Sequence, residues 1–287
     1  MKHLSGWKRY QQEALRGVYF ACGHFDGMHL GHRALAARLA TAARQAGRPS
    51  VLVSLYDPAQ PALTTEREKA YLLQESGIDL LFSLPRAEAV GLSPAALAAR
   101  LDAAAVVTVK ADAARWRRCD LPILFCDLVR QEGQICSDRL RAALQQADMT
   151  RYTELAGRAY LLLGPVVHGA GRGRTVGQPT ANLGLPARKL LPPHGVYATI
   201  SRVAGGVYMG LTNIGRRPTV DDFSYVTVET FLLDFDRDIY GEWEALELCF
   251  LIRGVRKFDS LAAVREQVQR DLQQARQRLA AIYNAQR

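Results

Sequence analysis

The sequence has no run of about 18 consecutive apolar residues, so no membrane-crossing helix is expected. It has no Cys-x-x-Cys pair. Its five cysteines, Cys22, Cys119, Cys126, Cys136 and Cys249, are an odd number. That fits neither a disulfide framework nor a zinc ribbon and points to reduced thiols. Residues 1–17 lack the apolar core of a signal peptide. A soluble, cytoplasmic protein is therefore expected. Repeats are absent, and Ala-rich helical stretches are the nearest thing to low complexity. Apolar content is too high, and charge too ordinary, for disorder: 48% of the 287 residues are apolar and 23% charged. The length suits two ordinary domains. With 37 Lys+Arg against 28 Asp+Glu, the net charge is +9. Such a balance favours anionic partners, whether nucleic acid, nucleotides or acidic lipid. No basic-aromatic recognition module accompanies it, and the cations scatter along stretches such as 265–278. Nucleic acid is thus not an expected partner.

Two halves differ in rhythm. In the first, short apolar runs alternate with helix-period segments. Strands are expected at 18–22, 51–55, 79–84, 105–109 and 122–126. Helices are expected at 32–46, 66–75 and 94–101, the last capped by Ser93. This alternation predicts a parallel sheet covered by helices, with ligands beyond the carboxyl ends of its strands. From Tyr160 onward, strand-like runs follow one another at 160–167, 195–203, 206–214, 226–235 and 243–252. Gly205-Gly206 between two of them is a hairpin signal. Consecutive strands without helices suggest an antiparallel barrel. A closing helix over 261–283 places Leu261, Val264, Val268, Leu272, Leu279 and Ile282 in one stripe. The expected domains are 1–150 and 157–287.

Two loops carry chemistry. The first, Gly23 to His32, joins the first strand to the first helix. Its glycines allow close backbone approach to a ligand, and the helix N-terminus offers unpaired N–H groups to an anion. His29 and His32 can donate to phosphate oxygens as charge develops on them. A tight turn with two surface histidines is the bland alternative. The second loop runs from Gly169 to Asn182 and lacks the Gly-Lys-Ser/Thr of a Walker loop. Its glycines still form an N–H-lined cradle for an anion, and Arg172 and Arg174 add charge. Thr180 and Asn182 put oxygen ligands two residues apart, on one face of an extended segment. Hard oxygens suit Mg²⁺ beside phosphate. Glu229, inside the apolar run 226–233, reads as solvent-exposed. Trp7, Trp116 and Trp243 read as packing or surface anchors, and nothing marks Cys22 as a nucleophile.

The motif Gly23-x-Phe25-Asp26-Gly27-x-His29-x-Gly31-His32 resembles the opening motif of the bacterial FAD synthetases, bifunctional riboflavin kinase/FMN adenylyltransferases. The resemblance implies a nucleotidylyltransferase-like first domain in which His29 and His32 hold ATP phosphates. Gly23, Phe25, Asp26, Gly27 and Gly31 would belong to that nucleotide site. The second loop is similar to the riboflavin kinase signature, with Gly169, Gly171, Arg172, Gly173, Arg174 and Gly177 ahead of Pro179-Thr180-Ala181-Asn182. The match continues through 190–197, 213–219, 228–230, 234–235, 240–241, 252–253 and 257–258. It implies a kinase barrel in which Thr180 and Asn182 hold Mg²⁺. In that barrel Glu229 is the general base for the ribityl hydroxyl, and Arg253 lies on the flavin side.

The first half departs from this family's pattern. The family's Phe-x-Pro-His-Pro segment reads Tyr56-Asp57-Pro58-Ala59-Gln60, without the histidine. Its Gly-x-Asp-Phe-x-Phe-Gly reads Lys110-Ala111-Asp112-Ala113-Ala114-Arg115-Trp116. Its Ser-Ser-Thr-Arg-Ile-Arg reads Cys136-Ser137-Asp138-Arg139-Leu140-Arg141, which keeps Ser137 and Arg139 for the nucleotide but places a carboxylate near triphosphate. Two enzymatic readings follow from the resemblance: ATP-dependent phosphorylation of riboflavin plus adenylylation of FMN to FAD, or a monofunctional riboflavin kinase with a degenerate first domain. A non-enzymatic flavin or nucleic-acid binder is the third and weakest.

Overall fold

The computed structural model describes residues 1–127, 129, 135–168, 180–217 and 225–286. The chain forms two compact units, Met1–Arg139 and Leu140–Arg287.

The first unit runs β1 (Lys2–Ser5), α1 (Trp7–Gln12), β2 (Val18–Gly23), α2 (Leu30–Gln45), β3 (Ser50–Tyr56), α3 (Glu66–Leu72) and β4 (Leu80–Pro85). It continues through α4 (Arg86–Ala89), α5 (Pro94–Leu101), β5 (Ala103–Val109), a 3₁₀ turn at Lys110–Trp116 and β6 (Ile123–Cys126). All strand pairs are parallel, in the order β1-β4-β3-β2-β5-β6. Near-continuous apolar runs form these strands because helices cover both faces. Alternation divides the core accordingly. Phe20, Val51, Val53, Phe82 and Val106 pack on one face with Trp7, Leu97 and Trp116. Ala21, Leu52, Leu81 and Val107 pack on the other with Phe25, Met28 and Leu39.

Local signals placed most of these elements. The Ser93 hydroxyl accepts from the Ala96 amide at 3.1 Å, with Pro94 at the first helical position. Thr65 and Glu68 form a reciprocal capping box that starts α3. The α3 helix stops at Leu72 rather than at 75. β1 and α1 are additions to the expected pattern. β1 is a four-residue edge strand, and its Lys-His-Leu-Ser has no alternation long enough to read.

The second unit follows α6 (Ser137–Gln145), which spans the division, with α7 (Met149–Ala156) packed against the barrel. The barrel strands are β7 (Tyr160–Val167), β8 (Ala181–Leu183), β9 (Gly195–Val203), β10 (Gly206–Arg217), β11 (Tyr225–Leu232) and β12 (Trp243–Gly254). They close in the order β10-β11-β8-β7-β12-β9, all antiparallel. The β9–β10 hairpin turns on Ala204 and Gly205, at φ 52° and 73°. Gly206 already belongs to β10, one residue beyond the expected turn. Two consecutive left-handed residues match the twist of the flanking strands. The closing helix α8 (Leu261–Gln286) seats Leu272, Ala275, Leu279 and Ile282 on Val196, Ala198, Ile200 and Leu211.

Candidate active sites

In the first unit the loop between β2 and α2 sits at the carboxyl edge of the sheet, where ligands of such folds bind. His29 is the N-cap of α2, and its Nδ1 accepts from the His32 amide at 3.3 Å. A neutral ring accepting at Nδ1 carries its proton on Nε2, which leaves that N–H for a ligand. The His29 and His32 rings stack, centroids 3.6 Å apart, and Phe25 meets His32 edge-on at 5.2 Å. Burial first, then the neighbouring charges, sets their electrostatics. Desolvation lowers His29 to about 4, although Asp26 pulls the other way. Desolvation also holds His32 well below the ordinary imidazole value, reinforced by His29 and Lys69. Both rings are therefore neutral at pH 7. The His32 Nδ1 is buried without a hydrogen-bond partner among the described residues. That orphaned polar atom lies at the end of α2 that attracts anions.

The rest of the loop is pinned from several sides. Ser137, the first residue of α6, donates to the Asp26 carbonyl at 2.8 Å. The Thr64 amide donates to Asp26 Oδ1 at 3.0 Å. The structure thus brings Gly23, Phe25, Asp26, Gly27, His29, Gly31, His32 and Ser137 together. Arg139 follows two residues after Ser137, half-buried. Asp138 is exposed in the first turn of α6, where a carboxylate suits the helix dipole. Ala59 is exposed in an Asx turn in which its amide donates to Asp57 Oδ1 at 2.9 Å. A cavity of about 320 Å³ opens beside His24, lined by Leu55, Ala89, Val90 and Leu97 with Arg86 and Arg115. Arg115 belongs to the 3₁₀ turn whose motif departs from the family pattern.

In the second unit Asn182 of β8 and Glu229 of β11 are register partners, and Glu229 is in turn the partner of Asn213 of β10. Directly opposed residues share a face of the sheet with their side chains adjacent. Glu229 is half-buried, not exposed as its polar character suggested, because β8 covers one flank of β11. Asn182 is 9% exposed. A cavity of about 530 Å³ is lined by Thr180, Ala181, Thr230, Leu232, Ile239 and Tyr240 among others, with Ala181 and Thr230 the register pair next to Asn182 and Glu229. Its polar lining includes Thr230, the end of a buried hydroxyl ladder: Thr199 meets Thr212 at 3.0 Å and Thr212 meets Thr230 at 2.9 Å. This cavity wall escaped the sequence reading, since threonines in a strand read as ordinary β-formers. The expected nucleotide residues Gly169, Gly171, Arg172, Gly173, Arg174 and Gly177 lie outside the described residues. Arg253 donates through Nε to Asp271 of α8 at 2.8 Å and stands over the Phe258 ring.

Among the described residues no helix is long and apolar enough to cross a membrane. Residues 156–279 match the family model described as riboflavin kinase, and residues 11–90 the one described as FAD synthetase. Segments 110–116 and 136–141 lie outside both spans. The chain is 30% identical over 298 residues to a bifunctional riboflavin kinase/FMN adenylyltransferase of Bacillus subtilis, covering 92% of this chain and 93% of the relative. It is 31% identical over 308 residues to the protein of that description from Escherichia coli K12, covering 96% and 97%. A Streptococcus pneumoniae structure described as a macrolide-efflux protein superposes with a TM-score of 0.80 at 25% identity, covering 96% of this chain and 99% of the other.

Proposed function

Because the chain belongs to the bifunctional riboflavin kinase/FMN adenylyltransferase family, we propose that its barrel phosphorylates riboflavin to FMN and its α/β unit adenylylates FMN to FAD, with ATP as the co-substrate of both. The observation that carries the reading is the opposition of Asn182 and Glu229 on one face of the barrel sheet, in a chain whose other unit caps a helix with His29.

In the kinase step Glu229 accepts the proton of the ribityl 5′-hydroxyl as that oxygen attacks the γ-phosphorus and ADP leaves. Positioning supplies most of the acceleration. Thr180 and Asn182 would hold Mg²⁺, their oxygens being of the hard type it prefers, and the bound ion would neutralise phosphate charge. The cavity bounded by Ile239 and Tyr240 suits the nucleotide base. In the adenylyl step an FMN phosphate oxygen attacks the α-phosphorus of ATP, the bond to the β-phosphate breaks, and pyrophosphate departs. His29 donates through Nε2 to phosphate oxygens, while the α2 N-terminus receives their charge. The cavity lined by Leu55, Val90 and Leu97 suits a flavin ring, with Arg86 and Arg115 nearby for its phosphate.

A second reading, a monofunctional kinase, draws on the altered segments at 56–60, 110–116 and 136–141. Incubation with riboflavin, ATP and Mg²⁺, followed by separation of the flavins, decides. FMN and FAD together support the two-step reading. FMN alone supports the second reading, and neither product refutes both.

A further inference from the structure

A lysine that none of the sequence motifs contains lies beneath the phosphate loop. Lys69 of α3 is 2% exposed. An ammonium has three N–H donors, and Lys69 uses all three. It donates to the His24 carbonyl at 2.7 Å, to Ser54 Oγ of β3 at 2.9 Å and to Glu66 Oε1 at 2.6 Å. The other Glu66 oxygen accepts from Ser83 of β4, whose hydroxyl also meets His3 Nε2 at 2.9 Å. One register row crosses the sheet as Gly23, Ser54, Ser83 and Ser5. Lys69 and Glu66 bind its two middle serines, so one ion pair joins β3 and β4 to the residue that follows β2.

The loop above this row needs holding. Phe25 and Met28 are buried, and both take left-handed backbone, at φ 49° and 42°. Such non-glycine residues persist only where their surroundings over-determine them. Lys69 holds the carbonyl immediately before Phe25. Ser137 and Thr64 hold Asp26 immediately after it. The ion pair is also oriented: its ammonium end meets the loop, and its carboxylate end faces Ser83 and His3.

We propose that Lys69 is a positioning residue for adenylyl transfer, locking the loop of residues 23–29 into its phosphate-receiving shape and turning the positive end of a buried ion pair toward the triphosphate. This role rests on the reading of the first unit as an adenylyltransferase. Lys69 acts through His24 and its neighbours and touches no reacting atom.

The test uses the full chain carrying Lys69→Met together with Glu66→Gln. The double change removes both charges, strands no buried ion and leaves an acceptor for Ser83. The probe is inorganic pyrophosphate, followed at the imidazole resonances of His29 and His32, with hydrogen exchange read at the amides of residues 25–28. The expected result is a loss of pyrophosphate affinity of about tenfold or more, with faster exchange in the loop, while β3 and β4 stay protected. Unchanged affinity and unchanged loop exchange would overturn the proposal. Ser83→Ala, which frees Glu66 from β4 but spares the bond to His24, is expected to bind pyrophosphate as the unaltered chain does. An equal loss there would assign the effect to the network at large and overturn it too. FAD formation by the unaltered chain is scored in parallel. Its absence would refute the adenylyltransferase reading, while pyrophosphate binding and loop exchange still decide the role of Lys69.

Discussion

At the scale of single residues, the loop histidines show how burial tunes the groups proposed to receive phosphate. His29 titrates near 4 in the folded chain, against an ordinary value of 6.5. Its neutral form is therefore favoured by folding. The stability this contributes is fully present above pH 6.5 and is lost as pH falls through about 4, where folded His29 takes up its proton. His29→Gln is accordingly expected to flatten the acid limb of the first unit's stability curve, measured as melting temperature between pH 4 and 7. An arriving polyphosphate opposes the desolvation, so nucleotide binding should take up protons in the same window. Calorimetry in buffers of different ionisation enthalpy reads that uptake directly. Gly31 adds a steric test: a Cβ there would stand 3.2 Å from the His29 ring. Gly31→Ala should maintain or raise the stability of α2, since alanine is the better helix former, yet lower FAD formation. Riboflavin phosphorylation by the same variant should be unaltered.

At the scale of elements, the strands were the legible part. Apolar runs at 160–167 and 195–203 coincide with β7 and β9, because an interior that tolerates little polarity writes its period into the chain. Shorter pieces were not legible. β8 is three residues long, and its place beside β11 depends on long-range pairing that no local pattern records. Lys69 and Glu66 sit on a helix where charges ordinarily mean a solvated face. The available hint was Ser54 and Ser83 interrupting two apolar strands at one register. Glu244 is a similar case. It is fully buried on β12, accepts from Ser201 at 2.7 Å, and leaves its second carboxylate oxygen without a partner among the described residues. Desolvation pushes it up to about 7, against an ordinary value of 4.5. The sign is opposite to that of His29. The contribution of Glu244 to stability is greatest below pH 4.5 and falls as pH rises through about 7, where the buried carboxyl must ionise. Glu244→Gln should stabilise the barrel by about 3 kcal/mol at pH 8 and by little at pH 5, as read from denaturant unfolding. Gly164, whose Cβ would collide with the Gly184 carbonyl, tests the barrel in the other direction. Gly164→Ala should lower barrel stability and FMN formation together.

At the scale of the whole molecule, the net charge of +9 no longer calls for a polymeric partner. Lys69, Arg253 and Arg202 are neutralised by Glu66, Asp271 and Glu247, so the excess resides in other cations. Others, such as Arg86 and Arg115, border the cavity proposed above for the flavin. The two family motifs were readable because each concentrates glycines with histidines or arginines at short, recognisable spacing. The intervening segments were not, because their departures from the family leave pocket shape to the fold. The central claim is that two separable sites share this chain, and Glu229→Gln separates them most directly. Given riboflavin, ATP and Mg²⁺, this variant should bind nucleotide but lose about 100-fold or more of its FMN formation. Given FMN, ATP and Mg²⁺ instead, it should form FAD at the rate of the unaltered chain. FMN formation at the unaltered rate, or no FAD from supplied FMN, would contradict the account.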